Sequence, residues 1–128
     1  MPPTGKPARR GLDVKFRLRI SRDEEIAVGP GKVALLEAIA EAGSISAGGR
    51  QLGMSYRRAW LLVDAMNRSF KSPVVETATG GAHGGGAAVT ETGMAVIRLY
   101  REIEASAEKA TRGLVGELES MVVAPGKG

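Results

Sequence analysis

The sequence predicts a mainly α-helical fold with a small β component, and three observations support this expectation. Apolar residues recur at helical spacing in residues 30–42 and 55–70, and both stretches follow helix-start signals. Two short β-prone segments, 74–78 and 87–90, flank a glycine-rich loop. Residues 92–122 repeat apolar positions every three or four residues. The 128 residues are enough for one domain with a single hydrophobic core.

Composition excludes several classes of protein. Apolar residues make up 43% of the chain and aromatics only 4%, so aliphatic side chains must build most of the core. There is no cysteine, which excludes disulfides and thiolate metal sites. No apolar stretch approaches the roughly 20 residues that span a bilayer, and no apolar segment follows the twin arginine Arg9-Arg10. We therefore expect a cytoplasmic protein without membrane association.

The net charge of +4 is unevenly distributed. Residues 1–22 contain seven Lys or Arg against one Asp, and residues 44–71 contain five against Asp64. Residues 98–121 contain five acidic and four basic residues. Two basic segments beside a slightly acidic one indicate a surface for a polyanion, although basic surfaces also simply keep small proteins soluble.

The N-terminal region predicts an arm, a strand and a turn. Residues 1–12 are rich in Pro, Gly and charge, and we expect a disordered basic arm. Against a nucleic acid, such an arm would either lie along phosphates or in a minor groove, or add only non-specific affinity. Residues 14–20 alternate apolar and basic side chains, the period of a half-buried strand. Residues 21–24 would turn the chain into a short return strand at 25–28. The predicted inward face of the first strand is Val14, Phe16, Leu18 and Ile20.

Three helices are predicted next. The first opens at Gly29-Pro30-Gly31, where the missing N–H of proline costs nothing, and ends at Gly43. A short helix runs from Ser44 to about Leu52 and a longer one from Ser55 to about Phe70, each starting with a serine suited to capping. A turn at Gly53-Met54 joins them. The apolar stripes are Leu35, Leu36 and Ile39 in the first helix, and Ala59, Leu62, Val63, Met66 and Phe70 in the third.

The third helix has the division of residues that a DNA-reading helix needs. The domain holds its apolar side, and long donors project from its N-terminal turns into the major groove. Arg57 and Arg58 can reach guanine edges or phosphates, and Ser55 and Tyr56 suit phosphates. An ordinary amphipathic helix with a solvated face is the alternative. The outward face is predicted to carry Tyr56, Arg57, Trp60 or Leu61, Asp64, Asn67 and Arg68.

A hairpin directly after a basic helix is typical of the wing in a winged helix-turn-helix. Its glycine-rich tip, residues 79–86, lets the backbone approach phosphates closely, and without a Gly-Lys-Ser/Thr sequence it does not predict a P-loop. His83 is the only histidine and cannot form a zinc site, so no metal or cofactor is expected. The predicted DNA-binding residues are Ser44, Ser46, Ser55, Tyr56, Arg57, Arg58, Trp60, Arg68, Thr79, Gly80, Gly81, His83 and Gly84.

The last predicted helix, capped by Thr90 or Thr92, extends to about Met121. About thirty helical residues span roughly 45 Å, longer than a domain this small covers, which favours pairing with a second copy over packing on its own domain. The predicted dimer contacts are Ile97, Tyr100, Ile103, Ala107, Leu114 and Leu118. The predicted organisation is a disordered arm at 1–12, a winged helix-turn-helix at 13–91, a dimerisation helix at 92–122 and a disordered tail at 123–128.

Several short motifs stand in a familiar order. They are Gly43-Ser44-Ile45-Ser46, Gly53-Met54-Ser55-Tyr56-Arg57-Arg58-Ala59-Trp60, Met66-Asn67, Ala78-Thr79-Gly80-Gly81, Gly84-Gly85-Gly86-Ala87 and Thr90-Glu91-Thr92-Gly93. Over roughly residues 14–110 the sequence resembles the N-terminal DNA-binding domain of the ModE family, molybdate-responsive regulators related to LysR-type winged helices. The resemblance implies a homodimer, an operator with two half-sites, and control of molybdenum uptake or molybdoenzyme genes.

The sequence departs from this family in two ways. Gly48-Gly49 stand where the family tends to have alanines, and interior glycines weaken a helix by about 1 kcal/mol each. The chain is also expected to end before the C-terminal Mop-type molybdate-binding region of full-length members, so any sensing of oxyanions would occur elsewhere.

These observations predict a sequence-specific transcriptional regulator. Its expected partners are double-stranded DNA and a second copy of the same chain. Its two recognition helices should lie about 34 Å apart, or a multiple of that distance. Two alternatives remain open: an oxyanion sensor that binds molybdate, and an adaptor or architectural protein that acts through a partner regulator. An enzyme is not expected, because the sequence offers no nucleophile–base pair.

Overall fold

The computed structural model describes residues 11–78 and 86–123, which form four helices and four short strands. In chain order these are β1 (Ile20–Arg22), β2 (Glu25–Val28), α1 (Pro30–Ala42), α2 (Ile45–Gln51), α3 (Tyr56–Ser69), β3 (Val75–Thr77), β4 (Ala87–Val89) and α4 (Glu91–Glu119). The strands pair as two separate antiparallel hairpins, β1–β2 and β3–β4. The expectation of a mainly helical fold with a small β component is confirmed.

The chain divides into two compact units. One consists of residues 17–102, and the other contains the described residues 11–16 and 103–123. Residues 91–102 of α4 therefore belong to the same unit as α1, α2 and α3. The sequence-based prediction instead placed a domain boundary between residues 91 and 92. Within residues 11–78 and 86–123, no helix is both long and apolar enough to cross a bilayer.

The strand predicted at residues 14–20 is wrong. Residues 12–19 have no regular secondary structure, and β1 begins only at Ile20, which is exposed. The burial alternation does occur, since Val14, Phe16 and Leu18 are half-buried and the residues between them are exposed. A strand needs a partner backbone, and the confirmed return strand β2 pairs only with Ile20–Arg22.

Local capping signals set the helix boundaries as predicted. Gly43 ends α1 with a positive φ of 83°, and its N–H donates to the Ile39 carbonyl at 2.8 Å. The Ser44 hydroxyl accepts from the Ala47 amide at 3.0 Å and opens α2. Thr90, and not Thr92, caps α4 by accepting from the Gly93 amide at 3.0 Å.

The core of the 17–102 unit lies between α1, α2, α3 and the two strands of the second hairpin. The predicted stripes of α1 and α3 form most of it, although Leu62 and Phe70 are only partly buried. A second cluster joins Val28, Val33 and Tyr100. The buried members of the main cluster are Leu35, Leu36, Ile39, Ile45, Ala59, Val63, Met66, Val74 and Val75.

Close packing of α2 accounts for its two interior glycines, Gly48 and Gly49. A Cβ atom on Gly48 would lie 2.8 Å from Cγ1 and 2.9 Å from the backbone nitrogen of Ile39 in α1. A Cβ atom on Gly49 would lie 2.8 Å from the Cβ of Ala59 in α3. Both glycines are buried, so α2 approaches its two neighbours more closely than alanine would allow.

Candidate nucleic-acid interface

Helix α3 has one buried and one exposed face. Ala59, Val63 and Met66 are buried in the core, as the predicted stripe requires. The Ser55 hydroxyl accepts from the Arg58 amide at 3.1 Å and fixes where the helix begins. Because the inner face is held by the core, the orientation of the outer face is determined by the fold.

Two arginines in the first turn of α3 point into solvent. Arg57 and Arg58 are exposed, and neither takes part in any of the ion pairs formed among residues 11–78 and 86–123. Two further basic residues of the same region, Arg50 and Lys71, are also exposed. The N-terminal end of α3 thus carries guanidinium groups whose donors are available to an anionic ligand.

The third predicted arginine of this helix has a different environment. Arg68 bonds to the carboxylate of Asp64 one turn earlier and lies 3.1 Å from Glu25 of β2. Glu25 is also 3.9 Å from Arg22 of β1. Arg68 was predicted to bind DNA, but here it links the last turn of α3 to the first hairpin.

Asn67 was predicted on the outward face, and this is wrong. Its Oδ1 accepts from the amides of Val74 at 2.7 Å and Val75 at 3.2 Å, and its Nδ2 donates to the Val75 carbonyl at 3.1 Å. One side chain thereby satisfies three backbone groups where the chain leaves α3 and enters β3. Asn67 positions the second hairpin relative to α3.

An open groove of about 400 Å³ runs along the outer face of α3. Its exposed apolar surface comes from Tyr56, Trp60 and Leu61, which are 55%, 38% and 56% exposed. The sequence left open whether Trp60 or Leu61 lies on the outward face. Both do, since each lines the groove. The lining residues are Tyr56, Arg57, Trp60, Leu61 and Asp64.

Of the predicted serines, Ser55 lines a depression beside the groove together with Arg57, Arg58 and Leu61. Ser44 and Ser55 use a hydroxyl lone pair to cap α2 and α3, which leaves each O–H proton free to donate to a ligand. Ser46 is half-buried in the first turn of α2. Capping is therefore the role that the geometry assigns to two of these three residues.

The β3–β4 hairpin is anchored beside the turn between α1 and α2. Val75 pairs with Val89 and Thr77 with Ala87, and the Ala87 amide donates to the Gly43 carbonyl at 2.9 Å. The Thr90 hydroxyl donates to the Pro73 carbonyl at 2.7 Å, closing the base of the hairpin. The predicted tip residues Thr79, Gly80, Gly81, His83 and Gly84 lie outside the described residues.

Part of the predicted dimer surface packs within its own unit. Tyr100 is 3% exposed, and its hydroxyl donates to the Leu18 carbonyl at 2.8 Å. Ile97 packs against the main core. Ile103, Leu114 and Leu118 are exposed and Ala107 is half-buried. Tyr100 and Ile97 therefore stabilise the fold of the single chain, and only the later positions offer free surface.

An ion pair fastens α4 to α1 within the 17–102 unit. The Arg101 guanidinium donates to both carboxylate oxygens of Glu37, at 2.6 and 2.9 Å. These hydrogen bonds lower the pKa of Glu37 below its ordinary value, against the opposing effect of partial burial. Within the described parts of the chain, no group of three or more His, Cys, Asp or Glu residues could hold a metal ion.

Comparison with known proteins identifies relatives of this chain. It is 44% identical over 100 residues to the molybdenum-pterin-binding protein MopA and 49% over 82 residues to MopB, both of Rhodobacter capsulatus. It is 35% identical over 99 residues to the DNA-binding transcriptional dual regulator ModE of Escherichia coli K12. These alignments cover 78%, 64% and 77% of this chain.

The similarity covers only part of each relative. The chain matches 36%, 30% and 38% of the lengths of MopA, MopB and the E. coli regulator, about a third of each protein. No family model matches the sequence. The extent of identity nevertheless shows that this chain is related to the ModE and Mop proteins.

Proposed function

We propose that this chain binds duplex DNA sequence-specifically through α3 and regulates genes of molybdenum uptake or molybdoenzymes. The observation that carries the proposal concerns Arg57 and Arg58, which are exposed and join no ion pair among residues 11–78 and 86–123. They lie in the first turn of a helix whose other face is buried. A recognition helix presents its N-terminal residues to base edges in this way. The E. coli relative, a DNA-binding transcriptional dual regulator, supports the same function.

In this proposal the fold acts as a winged helix-turn-helix. Helix α2 would cross the phosphate backbone, α3 would lie in the major groove, and the β3–β4 hairpin would serve as the wing. The order α2, α3, hairpin and the attachment of the hairpin to the carbonyl of Gly43 support this arrangement. The capping hydroxyls of Ser44 and Ser55 would donate to phosphates.

The chain would bind DNA as a homodimer through the later part of α4. Ile103, Leu114 and Leu118 are 47%, 70% and 63% exposed, and their spacing suits pairing with a second helix. Two recognition helices related by a two-fold axis would read half-sites about 34 Å apart or a multiple of that distance. We propose a binding protein and not an enzyme.

Selection of duplexes from a random library at one stated salt concentration tests this function. We expect a recovered sequence with two related half-sites, bound at least about 10³-fold more tightly than random duplex. The salt must be fixed because phosphate contacts make affinity steeply salt-dependent. Equal affinity for every sequence would contradict the proposal and favour an architectural protein or an adaptor for a partner regulator.

Binding of the molybdate oxyanion is the second candidate. It is favoured by the similarity to MopA and MopB, both molybdenum-pterin-binding proteins, at 44% and 49% identity. Calorimetric titration with molybdate, with sulfate as the matched control, tests it. Heat with molybdate alone would support this function, and no heat with either anion would exclude it for this chain.

A further inference from the structure

The groove on α3 combines large apolar side chains with a cationic one, Arg57. Tyr56, Trp60 and Leu61 hold large apolar surfaces in solvent, although the same helix buries Ala59, Val63, Ala65 and Met66. Tyr56 and Trp60 are four residues apart and therefore neighbours on one face, and Leu61 continues the surface beside them. The apolar strip occupies the first two turns of α3.

We propose that this groove receives the C5 methyl groups of thymines in the major groove of duplex DNA, an inference that rests on the proposed function. The thymine methyl is the apolar group that a base pair exposes there, and apolar side chains contact it directly. The first two turns of a recognition helix are the part that reaches base edges. Arginines would position α3 on the duplex, and the groove would select thymine.

Charge around the groove favours DNA over an apolar protein surface as the occupant. Arg57 lines it, and Arg58 adjoins it together with Leu61 in a neighbouring depression. The carboxylate among its lining residues, that of Asp64, is bonded to Arg68 and so does not repel a phosphate strongly. A polyanion is attracted to such a surface, whereas an apolar helix would have to desolvate Arg57.

Replacing thymine by uracil tests the proposal, because uracil lacks only the methyl group. The full 128-residue chain is titrated with its selected duplex and with duplexes carrying one uracil at a time. We expect at least one thymine in each half-site where uracil weakens binding about fourfold, the effect of removing one buried methylene-sized group.

Variants then assign the methyl contact to the groove. In Leu61→Ala or Tyr56→Ala the penalty for uracil should disappear at the affected thymine, so that both duplexes bind equally. Leu99→Ala is the matched control, since Leu99 is 50% exposed on α4, and its penalty should remain. All three replaced side chains are largely exposed, and circular dichroism checks that each variant folds.

Trp60 provides a second measurement, because it is the only tryptophan. The selected duplex should shield its fluorescence from acrylamide, a neutral quencher that DNA does not repel. Quenching that stays unchanged in the complex would overturn the proposal.

Three other outcomes distinguish failure of the methyl contact from failure of the proposed DNA-binding function. Discrimination between sequences without any uracil penalty, or with a penalty that persists in both groove variants, overturns the methyl contact but leaves DNA reading intact. Absence of discrimination overturns both. A dimer that dissociates on Leu61→Ala without DNA would assign the groove to a second copy and also overturn the proposal.

Discussion

At the N-terminal end of α3, Arg57 and Arg58 extend into solvent, whereas at its C-terminal end Arg68 bonds to Asp64 and to Glu25 of β2. The three side chains have the same chemistry and lie on the same helix. Nearby carboxylates decide which of them is available to a ligand. The number of basic residues in a segment therefore overstates the charge that an anionic partner can use.

The two ends of α3 are also held in different ways. Near the N-terminal end, Ala59 packs against Gly49 of α2, and the contact leaves no room for a methyl group on the glycine. At the C-terminal end, Asn67 and Arg68 make polar contacts to β3 and β2. Apolar packing thus fixes the end proposed to read DNA, and hydrogen bonds attach the other end to both hairpins.

The largest expected effect is on DNA affinity. Arg57→Ala should weaken binding to the selected duplex by about 1–3 kcal/mol, about 5- to 150-fold, and reduce discrimination against random duplex. Arg68→Ala, its counterpart at the C-terminal end of α3, should change both quantities by less than about twofold, because the Arg68 guanidinium is engaged by Asp64 and Glu25. Anisotropy titrations at one salt concentration measure both. If the two variants lose specificity equally, the contrast between the ends of α3 is mistaken.

The next effect is on stability. Gly49→Ala should lower the free energy of unfolding by about 1–3 kcal/mol, because the new Cβ would lie 2.8 Å from that of Ala59 and force α2 and α3 apart. Gly31→Ala is the matched control, since Gly31 is in α1 and an added Cβ would meet no atom within 4 Å apart from its chain neighbours and the nearby backbone of its own helix. It should leave stability unchanged or raise it by up to about 1 kcal/mol. Urea denaturation compares the two, and equal stability would contradict the close-packing explanation.

Signals confined to a few neighbouring residues were predictable from the sequence. Pro30, Gly43, Ser44 and Ser55 begin or end helices within about one turn of backbone, and each boundary is where the sequence places it. The core stripes of α1 and α3 followed from helical periodicity. Arg57 was found on the exposed face for the same reason.

Features that depend on distant parts of the chain were not predictable. The partner of Arg68, Glu25, is 43 residues away, and the partners of Asn67 are backbone amides beyond the end of its helix. Helical periodicity placed Asn67 on the exposed face of α3, because it does not show that residues 74 and 75 come back against that side chain. From the sequence, Gly48 and Gly49 were expected only to weaken α2. Their packing role depends on Ile39 and Ala59, which lie against them only in the folded structure.

A smaller stability effect is expected at the other end of α3. Asn67→Ala should lower the free energy of unfolding by about 1–2 kcal/mol, because it leaves partly buried amides of Val74 and Val75 without an acceptor. Asn67→Asp keeps that acceptor and should lose less. Hydrogen exchange of these two amides is the direct measurement, and exchange as slow in Asn67→Ala as in the parent would show that Asn67 does not anchor the hairpin.

The smallest effect concerns another arginine held by a carboxylate, Arg101, which donates to both oxygens of Glu37. Arg101→Gln should lower the free energy of unfolding by up to about 1 kcal/mol at neutral pH, since the pair is partly exposed. The pKa of Glu37 is lowered in the folded state, so this stabilisation is present above the pKa of the unfolded carboxyl. It is lost as pH falls through the lowered pKa.

The difference between Arg101→Gln and the parent should therefore vanish in acid, when measured by urea denaturation at one protein concentration. Arg98→Gln is the matched control. Arg98 lies on the same helix, but its contact with the exposed Glu102 is long, at 4.0 Å. It should have no measurable effect at either pH. A difference for Arg101→Gln that persists after Glu37 is protonated would mean that the arginine acts through packing, including its position over the Tyr100 ring at 5.7 Å, and not through charge.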